Sequence, residues 1–137
     1  MSQRFEFLQQ WLKETLDTSD FILKPASEDA SFRYYYRLSI ENNTFIVMDA
    51  PPDQEDCKPF IRVSNILHAC NVNVPTIHNM DLEQGFILLS DFGDDHYLNK
   101  LTKLTANNLY SDAIQTILSM QLGSLTKGLN RYNDTLL

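Results

Sequence analysis

Cysteine, glycine and positive charge are all scarce in this 137-residue chain, and each shortage rules something out. The two cysteines, Cys57 and Cys70, stand 13 positions apart, at the ends of one expected helix of about 20 Å, beyond the reach of a disulfide. Both are expected as reduced thiols. Eleven Lys and Arg against 18 Asp and Glu give a net charge of −7, and binding to a nucleic-acid backbone needs a clustered basic surface that such a balance does not supply. No nucleic-acid partner is expected. No apolar run approaches the roughly 18 residues of a membrane span, and the opening Met1–Glu6 lacks the apolar core of a signal peptide. No membrane association is expected, and the setting is expected to be cytoplasmic. His68, His78 and His96 are scattered without ligand spacing, so no protein-only metal site is expected.

What is present is ordinary for a soluble domain with a core: 43% hydrophobic and 21% charged residues. Residues Arg4–Leu16 put Phe5, Leu8, Leu12 and Leu16 on one face, with Phe7 and Trp11 beside them. That is a helical period burying a broad stripe. Phe21–Lys24 is short and apolar enough for a first strand. From Ser31 to Ile40 the chain alternates without a break. Phe32, Tyr34, Tyr36, Leu38 and Ile40 share one face, and Ser31, Arg33, Tyr35, Arg37 and Ser39 share the other, as in a strand. A polar break at Glu41-Asn42-Asn43 leads to a second strand, Thr44–Ala50, stopped by Pro51-Pro52 because proline cannot donate to a ladder. These elements form an antiparallel meander.

The acidic run Asp53–Asp56 suits the positive end of a helix, whose buried face is Phe60, Val63, Ile66, Leu67 and Cys70, with Asn71 as a left-handed stop. Val74–Asp81 and Gly85–Ser90 flank an acidic turn and make a second hairpin. Phe86–Leu89 is apolar on both faces, as a central strand is. Helical spacing returns with Tyr97, Leu98, Leu101 and Leu104, and again over Leu109–Leu125, with Gly128 closing the last helix.

The small-residue approach Ala26–Ser31 beside an Arg-bearing strand face is one way of holding phosphates; a solvated outer face reads the same way. Three separated stretches, PASEDASFRYYYRLSIENNTFIVMDAPP, PFIRVSNILHACNVNVP and GFILLSDFGD, resemble the amino-terminal lobe of the aminoglycoside phosphotransferase family. More narrowly, they are similar to the branch that phosphorylates the anomeric hydroxyl of N-acetylmuramate and N-acetylglucosamine in bacterial cell-wall (peptidoglycan) recycling. The resemblance runs from about Trp11 to the end of the chain. It implies an α+β, protein-kinase-like N-terminal lobe: a five-stranded antiparallel sheet with a packed helix, preceded by one helix and followed by helices that begin a second lobe. Residues 1–93 would form the nucleotide-binding lobe, and residues 94–137 the exit from it with the first helices of an incomplete second lobe.

ATP and magnesium are the implied co-substrates and a sugar the acceptor. By resemblance, Ala30, Ser31 and Phe32 hold phosphates, the backbone around Ser90, Asp91 and Phe92 pairs with adenine, and Leu89 and Val47 wall the purine. The Asp91-Phe92-Gly93 tripeptide spells the magnesium-binding triplet of protein kinases, but no His-Arg-Asp loop precedes it. A metal role is therefore not assigned. Where the wider superfamily has a phosphate-gripping lysine on the third strand, this chain has Asp49. Arg33 and Arg37 are the cations expected to replace it, since guanidinium holds phosphate bidentately. An Asp49–Arg62 pair is a further expectation, and Asp94-Asp95 reads as a solvated turn.

None of the three histidines starts an H-x-D-x-x-x-x-N run, so the catalytic base and magnesium ligands are expected outside this chain. The expected function is therefore the ATP-binding part of an amino-sugar phosphotransferase, inactive alone. The alternatives are a non-catalytic kinase-like interaction module, or a kinase for another small alcohol such as choline, homoserine or an aminoglycoside. The apolar stripe Leu109–Leu125 has no partner in the sequence, and self-association through it is expected.

Overall fold

The computed structural model describes residues 3–28, 32–123 and 129, with nothing stated of the side chains at 27 and 28. The first helix, α1, is Gln3–Leu16, and Asp17, with φ of 52°, turns the chain out of it. Five strands follow: β1 Ile22–Glu28, β2 Tyr34–Ile40, β3 Asn43–Asp49, β4 Ile77–Asp81 and β5 Phe86–Ser90. They make one antiparallel sheet in the order β1-β2-β3-β5-β4. The α+β architecture expected from the resemblance is the one observed.

The period-2 alternation of β2 sorts the side chains between two cores, one on each face of the sheet. On one face Leu38, Val47, Phe86 and Leu88 pack with Leu8, Trp11 and Leu12 of α1, and Phe5, Leu16, Tyr36, Ile40 and Phe45 close around them. Trp11 and Phe86 meet at a ring-centroid distance of 5.6 Å. Phe7, placed beside the stripe by spacing, faces solvent. The other face carries Met48, Ala50, Ile87 and Leu89 with Cys57, against which Tyr35, Ile46, Phe60, Ile61 and Ile77 pack. Strand β5 contributes to both cores and is buried from Phe86 to Leu89, as its doubly apolar run demands.

Three local expectations are corrected. Strand β1 runs on past Lys24 to Glu28, through Pro25, with a register shift between Pro25 and Ser27. An edge strand has ladder positions that need no N–H, so it tolerates the proline. The β2–β3 turn is shorter than expected: Ile40 pairs with Asn43, leaving Glu41 and Asn42 as the turn, with Glu41 at φ of 52°. Finally, the first helical stretch after Asp95 ends sooner than its leucine spacing implied, leaving Leu101 and Leu104 outside both helices. Helix α3 is only Tyr97–Lys100, and α4 is Ala106–Gly123. Between them Thr102 and Thr105 exchange hydrogen bonds, Thr102 N to Thr105 Oγ1 at 2.9 Å and Thr105 N to Thr102 Oγ1 at 3.2 Å. This reciprocal cap starts a new helix and leaves Leu104 outside it, 93% exposed.

Helix α2, Lys58–Ala69, begins where Asp56 Oδ1 accepts the Lys58 N–H at 2.9 Å. The acidic run thus precedes the helix and caps it instead of lying in its first turn. Asn71 at φ of 57° stops the helix as expected. Val63, expected on its buried face, is 41% exposed.

The chain divides into two compact units, one of Met1–Arg62 with Pro75–His96 and one of Val63–Val74 with Tyr97–Leu137. Within the second, Gly123 lies against Cys70, where a Cβ would come 3.2 Å from the sulfur. Both cysteines are free thiols. No helix among the described residues is long and apolar enough to cross a membrane. Gly128, Leu125 and the segment 130–137 lie outside the described residues.

Candidate functional site

On the sheet face away from α1, a cavity of about 380 Å³ opens within the first unit. Its lining comes from Ala26 on β1, Tyr35 and Arg37 on β2, Ile46 on β3, Phe60 on α2, Leu89 and Ser90 on β5, and the segment from Asp91 to Asp94, with Pro75 and His96 at the margin. Cross-strand register explains the grouping. Arg37 pairs with Ile46, Ile46 with Leu89, and Leu89 with Ile77, so one row of side chains crosses the sheet on a single face. The result is an apolar floor with a polar rim, and its volume lies within the range of small-molecule pockets.

The rim beyond β5 is held tightly. Arg37 Nε donates to Asp91 Oδ2 at 2.7 Å and Nη2 to Asp91 Oδ1 at 3.3 Å; Nη1 and Nη2 donate to the two oxygens of Asp94 at 2.7 and 2.8 Å. The Gly93 N–H donates to Asp91 Oδ1 at 2.8 Å. Gly93 takes φ of 75°, the left-handed form that glycine adopts without strain. On the other side the Ser90 N–H donates to the Thr76 carbonyl and the Thr76 N–H to Ser90 Oγ, both at 2.9 Å.

The charges respond accordingly. The carboxylates of Asp94 and Asp91 raise the pKa of Arg37. Burial pushes Asp91 upward, but the bonds from Arg37, Gly93 and Thr44 outweigh it and leave its pKa below the ordinary value. Asp94 is lowered chiefly by Arg37. Asp94, read from sequence as a solvated turn residue, does face water but is bound into this network.

A second ion pair lies just before β2, where Arg33 Nη2 donates to Glu55 Oε1 at 2.6 Å and the guanidinium sits 5.7 Å from the centre of the Phe60 ring. Burial pulls the Arg33 pKa down, and bonds to Tyr35 and Glu55 more than offset it. Arg33 and Arg37, treated from sequence as equivalent phosphate grips, therefore stand apart, Arg33 just before β2 and Arg37 at its middle, and each is held by carboxylate.

The structure redraws part of the expected residue set. Leu89, Ser90, Asp91, Phe92 and Arg37 line the cavity. Val47 does not: it is fully buried in the α1 core, and its neighbour Ile46 faces the cavity instead. Successive residues of a strand face opposite sides of the sheet, so Ile46 and Val47 do not wall the same cavity. Asp49 also points to the α1 side. Burial raises its pKa against the opposing pull of Arg4, whose Nε donates to Asp49 Oδ1 at 2.7 Å and whose Nη2 donates to the Gln84 carbonyl at 2.7 Å. Arg4 takes the place expected for Arg62. Because Asp49 faces away from the cavity, it does not bring a negative charge to it. Phe32 is described and 59% exposed; Ala30 and Ser31 lie outside the described residues.

Sequence reasoning missed Ala26, Ile46, Phe60, Pro75 and His96 as lining residues. Tyr35 was on the right strand face without a role. For Ile46 the signal was available, since counting back from a two-residue turn sets it opposite Arg37. Among the described residues no group of three His, Cys, Asp or Glu is placed to hold a metal ion.

Comparison with known proteins gives this geometry a context. A family model described as the phosphotransferase enzyme family matches residues 22–136. The chain is 44% identical over 115 residues to the N-acetylmuramate/N-acetylglucosamine kinase of Pseudomonas putida, covering 84% of this chain and 34% of that protein. It is 38% identical over 144 residues to the protein of the same name from Pseudomonas aeruginosa, covering 98% of this chain and 43% of the relative. A third kinase of that name, from Neisseria meningitidis, is 30% identical over 136 residues, 96% of this chain and 40% of the relative. The chain thus spans less than half the length of these curated relatives. With the family model matched over residues 22–136, the chain belongs to the phosphotransferase enzyme family.

Proposed function

We propose that this chain is the nucleotide-binding part of an ATP-dependent amino-sugar phosphotransferase, with N-acetylmuramate and N-acetylglucosamine as acceptors of the whole protein. The observation that carries the reading is the cavity bounded by Ile46, Leu89 and the Asp91–Asp94 segment, in a chain whose relatives are kinases for those sugars. Its apolar floor suits a purine ring, and the backbone beyond Ser90 supplies the polar edge that a base requires. Residues 1–93 are the nucleotide lobe, with the cavity in the unit of Met1–Arg62 and Pro75–His96, and residues 94–137 begin the second lobe.

The triphosphate runs from the base end toward Arg33, with Ala30, Ser31 and Phe32 as further phosphate contacts. Arg33 meets it there by exchanging Glu55 for phosphate, a bidentate match for guanidinium. The base that accepts the sugar proton and the ligands for magnesium belong to the portion of the whole protein that this chain does not span, so the chain alone binds without turnover. Two free thiols suit a reducing, cytoplasmic setting.

A thermal shift with ATP tests the reading. At a concentration of about 100 times the dissociation constant, a ligand bound only by the folded state stabilises it by about 2.7 kcal/mol. A rise in melting temperature with ATP, absent with inorganic phosphate, supports the assignment; unchanged melting at millimolar ATP counts against it.

One observation favours a second reading alongside the first. On α4, Tyr110, Ile114, Ile117, Leu118 and Leu122 are each about half exposed or more, an apolar side that suits self-association of this length of chain.

A further inference from the structure

We infer that Arg37 is a positioning residue for the base end of the cavity and not a ligand of the phosphates. The inference rests on the nucleotide reading above and adds to it which end of the ligand Arg37 serves. Three observations carry it. First, its donors serve two carboxylates, Nε and Nη2 reaching Asp91 while Nη1 and Nη2 reach Asp94, and Asp91 is far less exposed than the Glu55 that Arg33 would release. Turning the guanidinium to a phosphate would leave Asp91, whose side chain is only 4% exposed, without its cation, and removing one partner of a shielded ion pair is strongly unfavourable.

Second, Arg37 lies at the middle of β2, away from the Arg33 side that the triphosphate meets. It pairs with Ile46, which pairs with Leu89 next to the Ser90–Asp94 rim, whereas Arg33 is four residues back, about 13 Å along a strand, beside Glu55. A base seated against the rim therefore has Arg37 beside it and its triphosphate directed to Arg33.

Third, the Arg37 bonds act on the rim itself. Asp91 Oδ1 takes both the Arg37 Nη2 and the Gly93 N–H, so the guanidinium fixes the carboxylate that in turn fixes a glycine in the left-handed region. A Cβ on Gly93 would meet no heavy atom within 4 Å, and the contact that ties this turn to the cavity rim is the Gly93 N–H bond to the carboxylate that Arg37 holds. The backbone edge that faces a base is thereby held ready before the ligand arrives, which lowers the ordering cost of binding.

The test compares adenosine with ATP, because adenosine carries the base and no phosphate. Equilibrium binding of both is measured for the chain and for Arg37→Ala, Arg37→Lys and Asp91→Asn, with circular dichroism to check folding. A positioning role weakens adenosine and ATP by the same factor, about tenfold, in Arg37→Ala, with part of the loss recovered by lysine. Loss for ATP with adenosine unchanged makes Arg37 a phosphate ligand and overturns the inference, and so does no loss for either. If Arg37→Ala does not fold, Asp91→Asn breaks the same contact from the other side, and the same equal-factor criterion decides. Failure of the unaltered chain to bind either ligand is a different result, which sinks the nucleotide reading itself.

Discussion

Arg4 and Asp49 are joined across 45 positions of sequence, with Arg4 Nε donating to Asp49 Oδ1 at 2.7 Å. The same guanidinium lies 4.8 Å from the centre of the Phe86 ring and reaches the Gln84 carbonyl. One side chain therefore fastens the first turn of α1 to the end of β3 and to the β4–β5 turn.

Removing that cation leaves Asp49, only 3% exposed, as an uncompensated carboxylate. Arg4→Ala is expected to destabilise the chain by about 3 kcal/mol, and replacing both partners with apolar residues of similar volume to recover most of that loss. Chemical denaturation of the three proteins, with unchanged m-values, checks the ordering.

Gly85 carries a separate constraint. It adopts φ of 75°, and a Cβ there would stand 1.9 Å from the Ala50 carbonyl oxygen, while the Ala50 N–H donates to the Gly85 carbonyl at 2.9 Å. Gly85→Ala is expected to cost more than about 2 kcal/mol, from left-handed strain and backbone collision together. A melting temperature within a degree or so of the unaltered chain would be the contrary result.

The acid limb of the stability curve should report on the Arg37 network. Asp91 and Asp94 titrate below the 3.8 of an ordinary aspartate. Over that interval the unfolded chain binds more protons than the folded one. The network's contribution is thus full above 3.8 and is lost as pH falls through the lowered folded values. Asp49, raised by burial, has the opposite sign and stays intact in the comparison. The unaltered chain is expected to lose more stability between about pH 6 and about pH 2.5 than Asp91→Asn/Asp94→Asn; equal losses would contradict the assignment.

For α4, the expectation is concentration-dependent association of the chain through Ile114, Ile117, Leu118 and Leu122, abolished by Ile117→Glu/Leu122→Glu. Sedimentation velocity separates a monomer at all concentrations, which would refute it, from a reversible dimer.

Periodicity made most of the fold legible. The alternation Tyr34 to Ile40 assigned faces correctly, and the doubly apolar Phe86–Leu89 run placed β5 in the interior of the sheet. What failed depended on counts of a single residue or on contacts distant in sequence. The resemblance placed Val47 at the purine, one residue away from Ile46, which lines the cavity; the side-chain period of a strand sends such neighbours to opposite faces. The Arg4–Asp49 and Arg37–Asp94 pairs join residues 45 and 57 positions apart, and no local pattern encodes which cation meets which carboxylate. The break at Thr102 was legible in principle as a cap, but the continuing leucine spacing masked it.

The claim on which the account turns is that a purine nucleotide sits between Ile46, Leu89 and the Asp91–Asp94 rim. Ala26 lines that cavity and is exposed at its mouth, so Ala26→Trp fills the space without disturbing either core. Titration calorimetry with ATP on the unaltered chain, Ala26→Trp, and Phe7→Trp as an exposed control on α1 is the direct measurement. The account expects binding by the chain and by Phe7→Trp, with affinity at least about tenfold weaker in Ala26→Trp; undiminished affinity in Ala26→Trp would place the nucleotide elsewhere and contradict it.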